Sequence, residues 1–199
     1  KEVAKARDIQ VVEEVGQGWR RVVATPVPVE CLGLNAVETL LEGSSIVLTS
    51  AGGGVPVIID ARSQMNETEA LLDEIAVTTL LANELAAHLL VLLHANEHLI
   101  TNAGQLSQDR VEELTRHQLR ELSAQDAFGD ADSLARVEAA LDFLDAGGER
   151  VLITTGQKLS AGLAGRAGSR LTRELVDTDT KQISLFDAGS DEENAELNT

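Results

Sequence analysis

Along this chain, short runs of apolar residues alternate with longer segments in which apolar residues recur at helical spacing. Such alternation is typical of an α/β domain, in which helices cover a mainly parallel sheet. Residues 20–29 are predicted to be extended because Pro26 and Pro28 exclude a helix there. Asp132 or Ser133 is expected to cap one of the helices. The other predicted strands span residues 45–49, 55–59, 89–93, 150–154 and 169–172, and the predicted helices span residues 34–41, 67–87, 108–123, 132–146 and 157–164.

The charge of the chain restricts its partners. Acidic residues outnumber basic ones by 33 to 16, which gives a formal net charge of −17. A surface this negative repels phosphate backbones and anionic membranes, so we expect neither a nucleic-acid nor a membrane partner. The longest apolar run, residues 89–93, is also too short to span a bilayer. With Cys31 as the single cysteine, an internal disulfide is excluded, and a cytoplasmic location is expected.

The ends of the chain differ from its middle. Residues 1–186 have the composition of one globular domain, whereas residues 187–199 are acidic and small and are predicted to form a flexible tail. The chain begins at Lys1, and its only methionine is Met65. We therefore expect the sequence to be a fragment, a processed chain or an incomplete one.

Three consecutive glycines, Gly52, Gly53 and Gly54, follow the predicted strand at residues 45–49. Glycines at the carboxyl end of a strand let backbone N–H groups approach an anion closely, because no Cβ stands in the way. Ligands of α/β sheets bind at this end of the strands. Taken alone, the triplet is equally compatible with a tight turn.

The sequences around the triplet resemble the carbamate kinase family. Residues 12–28 are similar to a family segment that passes through Gly-Trp-Arg-Arg-Val-Val into Ser-Pro-x-Pro, with Thr25 in place of the serine. Residues 51–57 resemble Gly-Gly-Gly-Gly-Ile-Pro-Val, and residues 136–148 resemble a helix that begins Lys-Val-Glu-Ala-Ala. Residues 165–169 resemble the family's closing Gly-x-x-Gly-Thr. The resemblance is colinear from Glu13 to Leu171.

This resemblance implies a three-layer αβα sandwich of the amino-acid-kinase type, of which the C-terminal part holds the nucleotide. The family transfers a phosphoryl group between carbamoyl phosphate and ADP, usually as a homodimer with magnesium, so MgATP and MgADP are the expected cofactors. The family's Gly-Gly-Asn-Ala and His-Gly-Asn-Gly-Pro segments do not occur here. The N-terminal part of the fold is therefore expected to be missing, and the expected partner is a second copy or a chain that carries that part.

The chain departs from the family pattern where charged groups would meet the phosphates. The family's Val-Ile-Asp-Lys-Asp-Leu-Ala corresponds to residues 71–77. Asp73 is retained, but Glu74 stands in the position of the lysine and Ile75 in that of the second aspartate. A carboxylate in the place of a cation reverses the sign of its interaction with phosphate.

Two other motifs are altered in the same way. The family's Leu-Thr-Asp-Val-Asp, which contacts the nucleotide, corresponds to residues 93–97, and its Gly-Ser-Met-Gly-Pro-Lys corresponds to residues 131–136. Arg136 keeps the positive charge of the lysine, whereas Leu134 replaces a glycine. The resemblance thus implies a candidate site in which Asp73 and Arg136 are the catalytic candidates and Gly52, Gly53, Gly54, His94 and Asn96 bind nucleotide or phosphate.

Two hypotheses remain open from the sequence. In the first, the chain is a carbamate-kinase-like protein with lost or reduced catalysis that binds nucleotide or anion or acts as a partner subunit. In the second, it is an active carbamate kinase, serving arginine or purine breakdown, whose N-terminal half is supplied by another chain. A small-molecule sensor is a weaker alternative. No metal site is predicted, because His94 and His98 have no third ligand placed to assist them.

Overall fold

The structure is a computed structural model that describes residues 10–14, 18–102 and 109–173. Its strands are β1 (Val11–Glu14), β2 (Gly18–Arg21), β3 (Val57–Ile59), β4 (Met65–Glu67), β5 (Leu89–Leu93), β6 (Leu99–Thr101), β7 (Asp109–Val111), β8 (Glu113–Thr115), β9 (Arg150–Thr154) and β10 (Ser169–Thr172). Its α-helices are α1 (Leu34–Glu42), α2 (Glu74–Glu84), α3 (Arg116–Ala124), α4 (Ala131–Asp145) and α5 (Leu159–Leu163), and 3₁₀ turns occur at Ala51–Gly53 and Gly156–Lys158.

Four strands form the central sheet, in the order β5-β9-β10-β8. Strand β5 runs parallel to β9, and β8 runs parallel to β10, while the central pair β9 and β10 is antiparallel. The strands β1 and β2, β3 and β4, and β6 and β7 form three separate antiparallel pairs. The predicted α/β class with a mostly parallel central sheet is therefore confirmed.

Strand β9 shows why helices lie on both faces of this sheet. Successive side chains of a strand point to opposite faces. Val151 and Ile153 belong to the main core cluster, which also contains buried residues of α4. Leu152 points to the other face, where a Cβ added at Gly162 of α5 would lie 3.0 Å from its Cδ2 atom. The sheet is thus the middle layer of three, as the family resemblance implies.

Side-chain caps fix where the longer helices begin. The Asp73 carboxylate accepts hydrogen bonds from the backbone N–H groups of Ile75 and Ala76 at the start of α2. Thr115 and Gln118 form a reciprocal capping box at the start of α3. At the start of α4, the cap is Asp130, which accepts from the N–H of Ser133. The prediction of Asp132 or Ser133 as this cap is wrong, because both residues already lie inside the helix.

Two predicted helices are shorter than their apolar spacing suggested. The segment 67–87 contributes a helix only over Glu74–Glu84, because Met65–Glu67 pairs with Val57–Ile59 in a hairpin. The segment 108–123 is helical only from Arg116. Its first part forms β7 and β8, which pair with β6 and β10. Apolar residues of short strands joined by tight turns can recur at helical spacing. Backbone pairing therefore determines the secondary structure of these two segments.

The predicted strand at residues 45–49 is also wrong as a regular element, because no described strand pairs with it. The neighbouring prediction at residues 55–59 is confirmed only over Val57–Ile59. The predicted tail, residues 187–199, lies outside the described residues. Among the residues that are described, no helix has the length and apolar character that a membrane span requires.

Candidate functional site

An open cleft of about 310 Å³ lies where the carboxyl end of β5 meets the glycine turn and the start of α2. The carboxyl end of a parallel strand is the usual location of ligand sites in α/β sheets. The cleft brings together two predicted site residues, Gly52 and Arg136, with Glu74. It is lined by Thr49, Ser50, Ala51, Gly52, Glu74, Ile75, Thr78, Val91, Leu92, Leu93 and Arg136.

The glycine turn uses its three glycines in different ways. All three have positive φ: +67° at Gly52, +87° at Gly53 and +80° at Gly54. A Cβ added at Gly53 would lie 2.4 Å from the carbonyl oxygen of Leu72, so this glycine lets the turn pack against the segment that leads into α2. A Cβ at Gly52 or Gly54 would meet open space. Gly52 and Gly54 are therefore the two glycines whose backbone a ligand could approach.

This difference gives a testable prediction. Gly53→Ala is expected to lower the free energy of unfolding by about 1–3 kcal/mol more than Gly52→Ala does, since both are strained by positive φ but only the first collides with backbone. Urea unfolding followed by circular dichroism measures both costs. Equal costs for the two variants would contradict the packing role assigned to Gly53.

Asp73 lies beside the cleft but does not line it. Its Oδ1 atom accepts hydrogen bonds from the N–H groups of Ile75 and Ala76, each at 2.9 Å. An N-terminal helix cap is worth about 1 kcal/mol, which is enough to account for an aspartate at this position. The acidic residue that lines the cleft is instead Glu74, the first residue of α2.

Arg136, the cation predicted to meet phosphate, is held by groups of the chain itself. Its side chain is only 12% exposed. The Nε–H donates to the carbonyl oxygen of Leu93 at 2.9 Å, and Nη1 donates to the main-chain oxygen of Asp132 at 2.9 Å. Nη1 also forms an ion pair with the Asp132 carboxylate. The positive charge of Arg136 is therefore neutralised within α4.

The same carboxylate holds His94. The His94 side chain is 3% exposed, and its Nε2 atom lies 3.1 Å from Oδ2 of Asp132. The Nδ1 atom of His94 lies 3.2 Å from both the backbone N–H and the carbonyl oxygen of Asn96. His94 and Asn96, the two residues predicted to bind nucleotide after β5, contact each other and are not among the residues that line the cleft.

Sequence reasoning missed the central role of Asp132, which links His94 to Arg136. The available signal was the spacing of Asp132 and Arg136, which are four residues apart on one helix and so can pair across a turn. The family resemblance places a serine at this position; the negative charge that Asp132 adds near Arg136 is visible in the sequence, but its contacts are not. Asp132 gives the Nε2 atom of His94 its polar partner and also pairs with the guanidinium of Arg136. It therefore links the two side chains.

Asp130 completes a small polar group with His94 and Asp132. One ligand atom from each of these residues lies within 4.8 Å of the others, and the donor types suit a divalent cation. Each of the three residues already makes a polar contact within the protein, however: Asp130 caps α4 through the Ser133 N–H at 2.8 Å, and Asp132 bridges His94 and Arg136. The arrangement is accounted for as a hydrogen-bonded network around the start of α4.

The Asp130 cap makes stability depend on pH. Hydrogen bonds from Ser133, helped by the nearby His94, hold the pKa of Asp130 below its ordinary value. A carboxyl group with a lowered pKa in the folded state stabilises the fold above its ordinary pKa of about 4, and this stabilisation is lost as the pH falls through the lower folded value. We therefore expect Asp130→Asn to lose less stability than the unchanged chain as the pH falls below about 4.

Unfolding in urea at a series of pH values measures this effect. Asp142→Asn, on the same helix, is the matched control and should follow the unchanged chain. If Asp130→Asn also follows the unchanged chain, the cap does not contribute to acid sensitivity.

Comparison with known proteins gives a consistent family. The chain is 32% identical over 163 residues to the carbamate kinase of Staphylococcus haemolyticus, which covers 81% of this chain and 52% of that protein. It is 30% identical over 164 residues to a carbamate kinase-like protein of Mycoplasma pneumoniae, covering 82% and 53%. No protein-family model matches the chain.

A solved structure agrees with these sequence relatives. The carbamate kinase of Giardia lamblia bound to AMP-PNP superposes with a TM-score of 0.79 at 26% identity, over 86% of this chain and 54% of that one. The predicted amino-acid-kinase fold is therefore confirmed for the portion present. The chain spans about half the length of the curated relatives it matches.

Proposed function

We propose that this chain binds nucleotide or a related anion with little or no phosphoryl transfer. The proposal starts from the premise that the chain is carbamate kinase-like in sequence and fold over about half the length of its relatives. The Giardia lamblia carbamate kinase carries AMP-PNP, an ATP analogue, which supports nucleotide as the ligand class. The proposed ligand is MgADP or MgATP, and the proposed role is that of a binding or partner subunit.

One observation carries the proposal: the arginine that lines the cleft is paired with a carboxylate, and a second acidic residue also lines the cleft. Arg136 is bound to Asp132, while Glu74 lines the cleft with no described ion pair. Phosphoryl transfer needs cations that neutralise the charge on the moving group. Near a protein surface, a carboxylate about 4 Å from a phosphate opposes binding by about 1–4 kcal/mol. The charges of the described residues that line the cleft therefore support reduced phosphoryl transfer.

The test is calorimetric titration with MgADP and MgATP, followed by an assay of ATP formation from carbamoyl phosphate and MgADP. The expected result is measurable nucleotide binding without ATP formation. ATP formation by the chain alone would overturn the proposal. If neither nucleotide binds, the binding role is lost and only a structural or partner role survives.

A second candidate function is favoured by the coverage of the relatives. Because the chain matches only about half of each carbamate kinase, the other half of an active site could be supplied by a separate polypeptide. In that case Gly52, Gly53 and Gly54 would cradle the transferred group, Arg136 would stabilise its charge, and Asp73 would help to position magnesium. This candidate predicts ATP formation only when the missing portion is added to the assay.

A further inference from the structure

His94 is a buried side chain of the type that changes charge near neutral pH, and the proposed function does not use it. The side chain is 3% exposed. The backbone N–H of His94 donates to the carbonyl oxygen of Thr154 at 2.9 Å, which ties this residue to the end of β9. A histidine ordinarily gains or loses its charge between about pH 5 and pH 8. A ring held at this position can therefore change the local charge without moving.

The contacts of the ring accommodate both of its charge states. Nε2 lies 3.1 Å from Oδ2 of Asp132, and Nδ1 lies 3.2 Å from both the N–H and the carbonyl oxygen of Asn96. A neutral ring with its proton on Nε2 donates to Asp132 and accepts from the Asn96 N–H. A charged ring donates from both nitrogens, to Asp132 and to the Asn96 carbonyl oxygen. Each state therefore has hydrogen-bond partners in the same geometry.

Asp132 connects the ring to the cleft. Its Oδ2 atom faces Nε2 of His94, and its Oδ1 atom forms the ion pair with Nη1 of Arg136. Arg136 lines the cleft, and so does Leu93, which precedes His94 and accepts from the Nε–H of Arg136. One carboxylate thus lies between the ring and the arginine of the cleft.

The charged groups near the ring and the cleft determine the effect of this proton. They are Asp130, Asp132 and Arg136 at the start of α4, Glu74 at the start of α2, and Glu97 and His98 in the loop that carries His94. Hydrogen bonds from Ser133 hold the pKa of Asp130 below its ordinary value, so this carboxylate stays charged while a histidine titrates. While the ring is neutral, Asp132 offsets only Arg136. When the ring is charged, the same carboxylate is shared between two cations, and an anion in the cleft meets less net negative charge.

We propose that His94 is a positioning residue that makes anion binding in the cleft depend on pH. The ring takes up a proton from solvent, Asp132 is then shared between the ring and Arg136, and Arg136 is less neutralised towards the anion. Anion binding and protonation of the ring favour each other to the same extent. The inference rests on the proposed binding of nucleotide or a related anion and adds how that binding is regulated. The family pattern has threonine at position 94 and serine at position 132, so the effect comes from residues of this chain.

The experiment measures, by calorimetry, the affinity of the full chain for MgADP and for sulfate at about pH 6 and about pH 8. Sulfate keeps the same charge over this range, so its binding reports on the protein alone. We expect both probes to bind about three- to tenfold more tightly at the lower pH. In the unchanged chain, the NMR signal of the His94 ring should also show the charged form at a higher pH with sulfate than without it.

Two histidine variants separate the ring from the overall charge. His94→Gln keeps a polar group that can donate to Asp132 but cannot gain a charge, so it should lose most of the pH dependence and bind as weakly as the unchanged chain does at the higher pH. His117→Gln is the matched control, because the His117 side chain is 81% exposed and its Nε2 atom lies 3.5 Å from Oε1 of Glu121 on α3. This control should keep the pH dependence of the unchanged chain. If His94→Gln does not fold, the NMR titration of the unchanged chain decides alone.

Two results would overturn the inference: the same pH dependence in His94→Gln as in the unchanged chain, or a His94 signal that does not respond to sulfate. If MgADP binds without any dependence on His94, nucleotide binding stands and the inference fails. If sulfate binds in a manner that depends on His94 but MgADP does not bind, the inference stands and nucleotide is excluded as the ligand. If neither probe binds at either pH, both proposals fail.

Discussion

Replacing Glu74 by lysine and Asp132 by serine in one variant is expected to tighten MgADP binding by at least about tenfold. The first change converts a carboxylate of the cleft into a cation, and the second releases Arg136 from its ion pair. Near a protein surface, one favourable charge contact at about 4 Å is worth about 1–4 kcal/mol, and about 1.4 kcal/mol corresponds to a tenfold change in affinity. Each single variant should give a smaller gain in the same direction.

The measurement is calorimetric titration of the four proteins with MgADP. A matched control is Glu112→Lys combined with Asp109→Ser, which makes the same change in formal charge away from the cleft. If the control tightens binding as much as the cleft variant, the gain comes from the overall charge of −17 rather than from the site. If neither variant binds more tightly than the unchanged chain, the loss of charge complementarity is not what weakens the site.

Replacing Asp132 by serine is also expected to lower the stability of the folded chain. With serine at position 132, the buried Nε2 of His94 loses its acceptor, and the guanidinium keeps only carbonyl partners. A lost hydrogen bond to a charged group costs about 1.5–3 kcal/mol, so the variant should be less stable without nucleotide. Added MgADP should restore part of that stability, because a ligand that binds only the folded state stabilises it.

The parts of the fold that could be predicted from the sequence are those whose apolar runs are clearly bounded. The buried strands β5, β9 and β10 and the helices α1 and α4 lie where their apolar runs and glycine stops indicated. The segment 108–123 could not be predicted, because its apolar residues satisfy helical spacing while backbone pairing with β6 and β10 determines two short strands. Pairing between distant segments is not visible in local spacing.

The prediction of a strand at residues 45–49 failed for a different reason. The composition of this segment is that of a strand, but a strand needs a neighbour, and none is among the described residues. Composition alone therefore could not show that this segment has no paired strand among the described residues. The residues of this segment favour a strand, but no described strand makes the backbone hydrogen bonds that a strand requires.

The sequence indicated several residues of the candidate site but not the contacts between them. Family resemblance located Gly52, Arg136 and the altered Glu74, and the structure places all three at one cleft. It did not indicate that Asp132 would neutralise Arg136, since the family pattern has a serine at this position and the ion pair is seen only in the structure. Asp73 illustrates the opposite case, because a residue matched to a catalytic position also caps a helix, and only coordinates reveal that second role.

The helix that carries Asp132 and Arg136 is anchored at its far end by Phe143, and Phe143→Ala is expected to lower the free energy of unfolding by about 3–5 kcal/mol. The ring is only 1% exposed and belongs to the main core cluster. Its removal leaves a cavity that the surrounding sheet and helices can fill only in part. Since a domain of this size has about 5–15 kcal/mol of stability, the loss is a large fraction of the total.

Gly148 provides a double-mutant test of this packing. A Cβ added at Gly148 would lie 2.2 Å from Cε1 of Phe143, so Gly148→Ala should cost about 1–3 kcal/mol in the unchanged chain and much less in the Phe143→Ala background. Gly147→Ala is the control: its φ of +116° strains any side chain, but nothing lies within 4 Å of its added Cβ, so its cost should be the same in both backgrounds. Urea unfolding of the six proteins gives the coupling energies. Additive costs for Gly148→Ala and Phe143→Ala would show that the ring does not occupy the space beside Gly148, and α4 would then need another anchor.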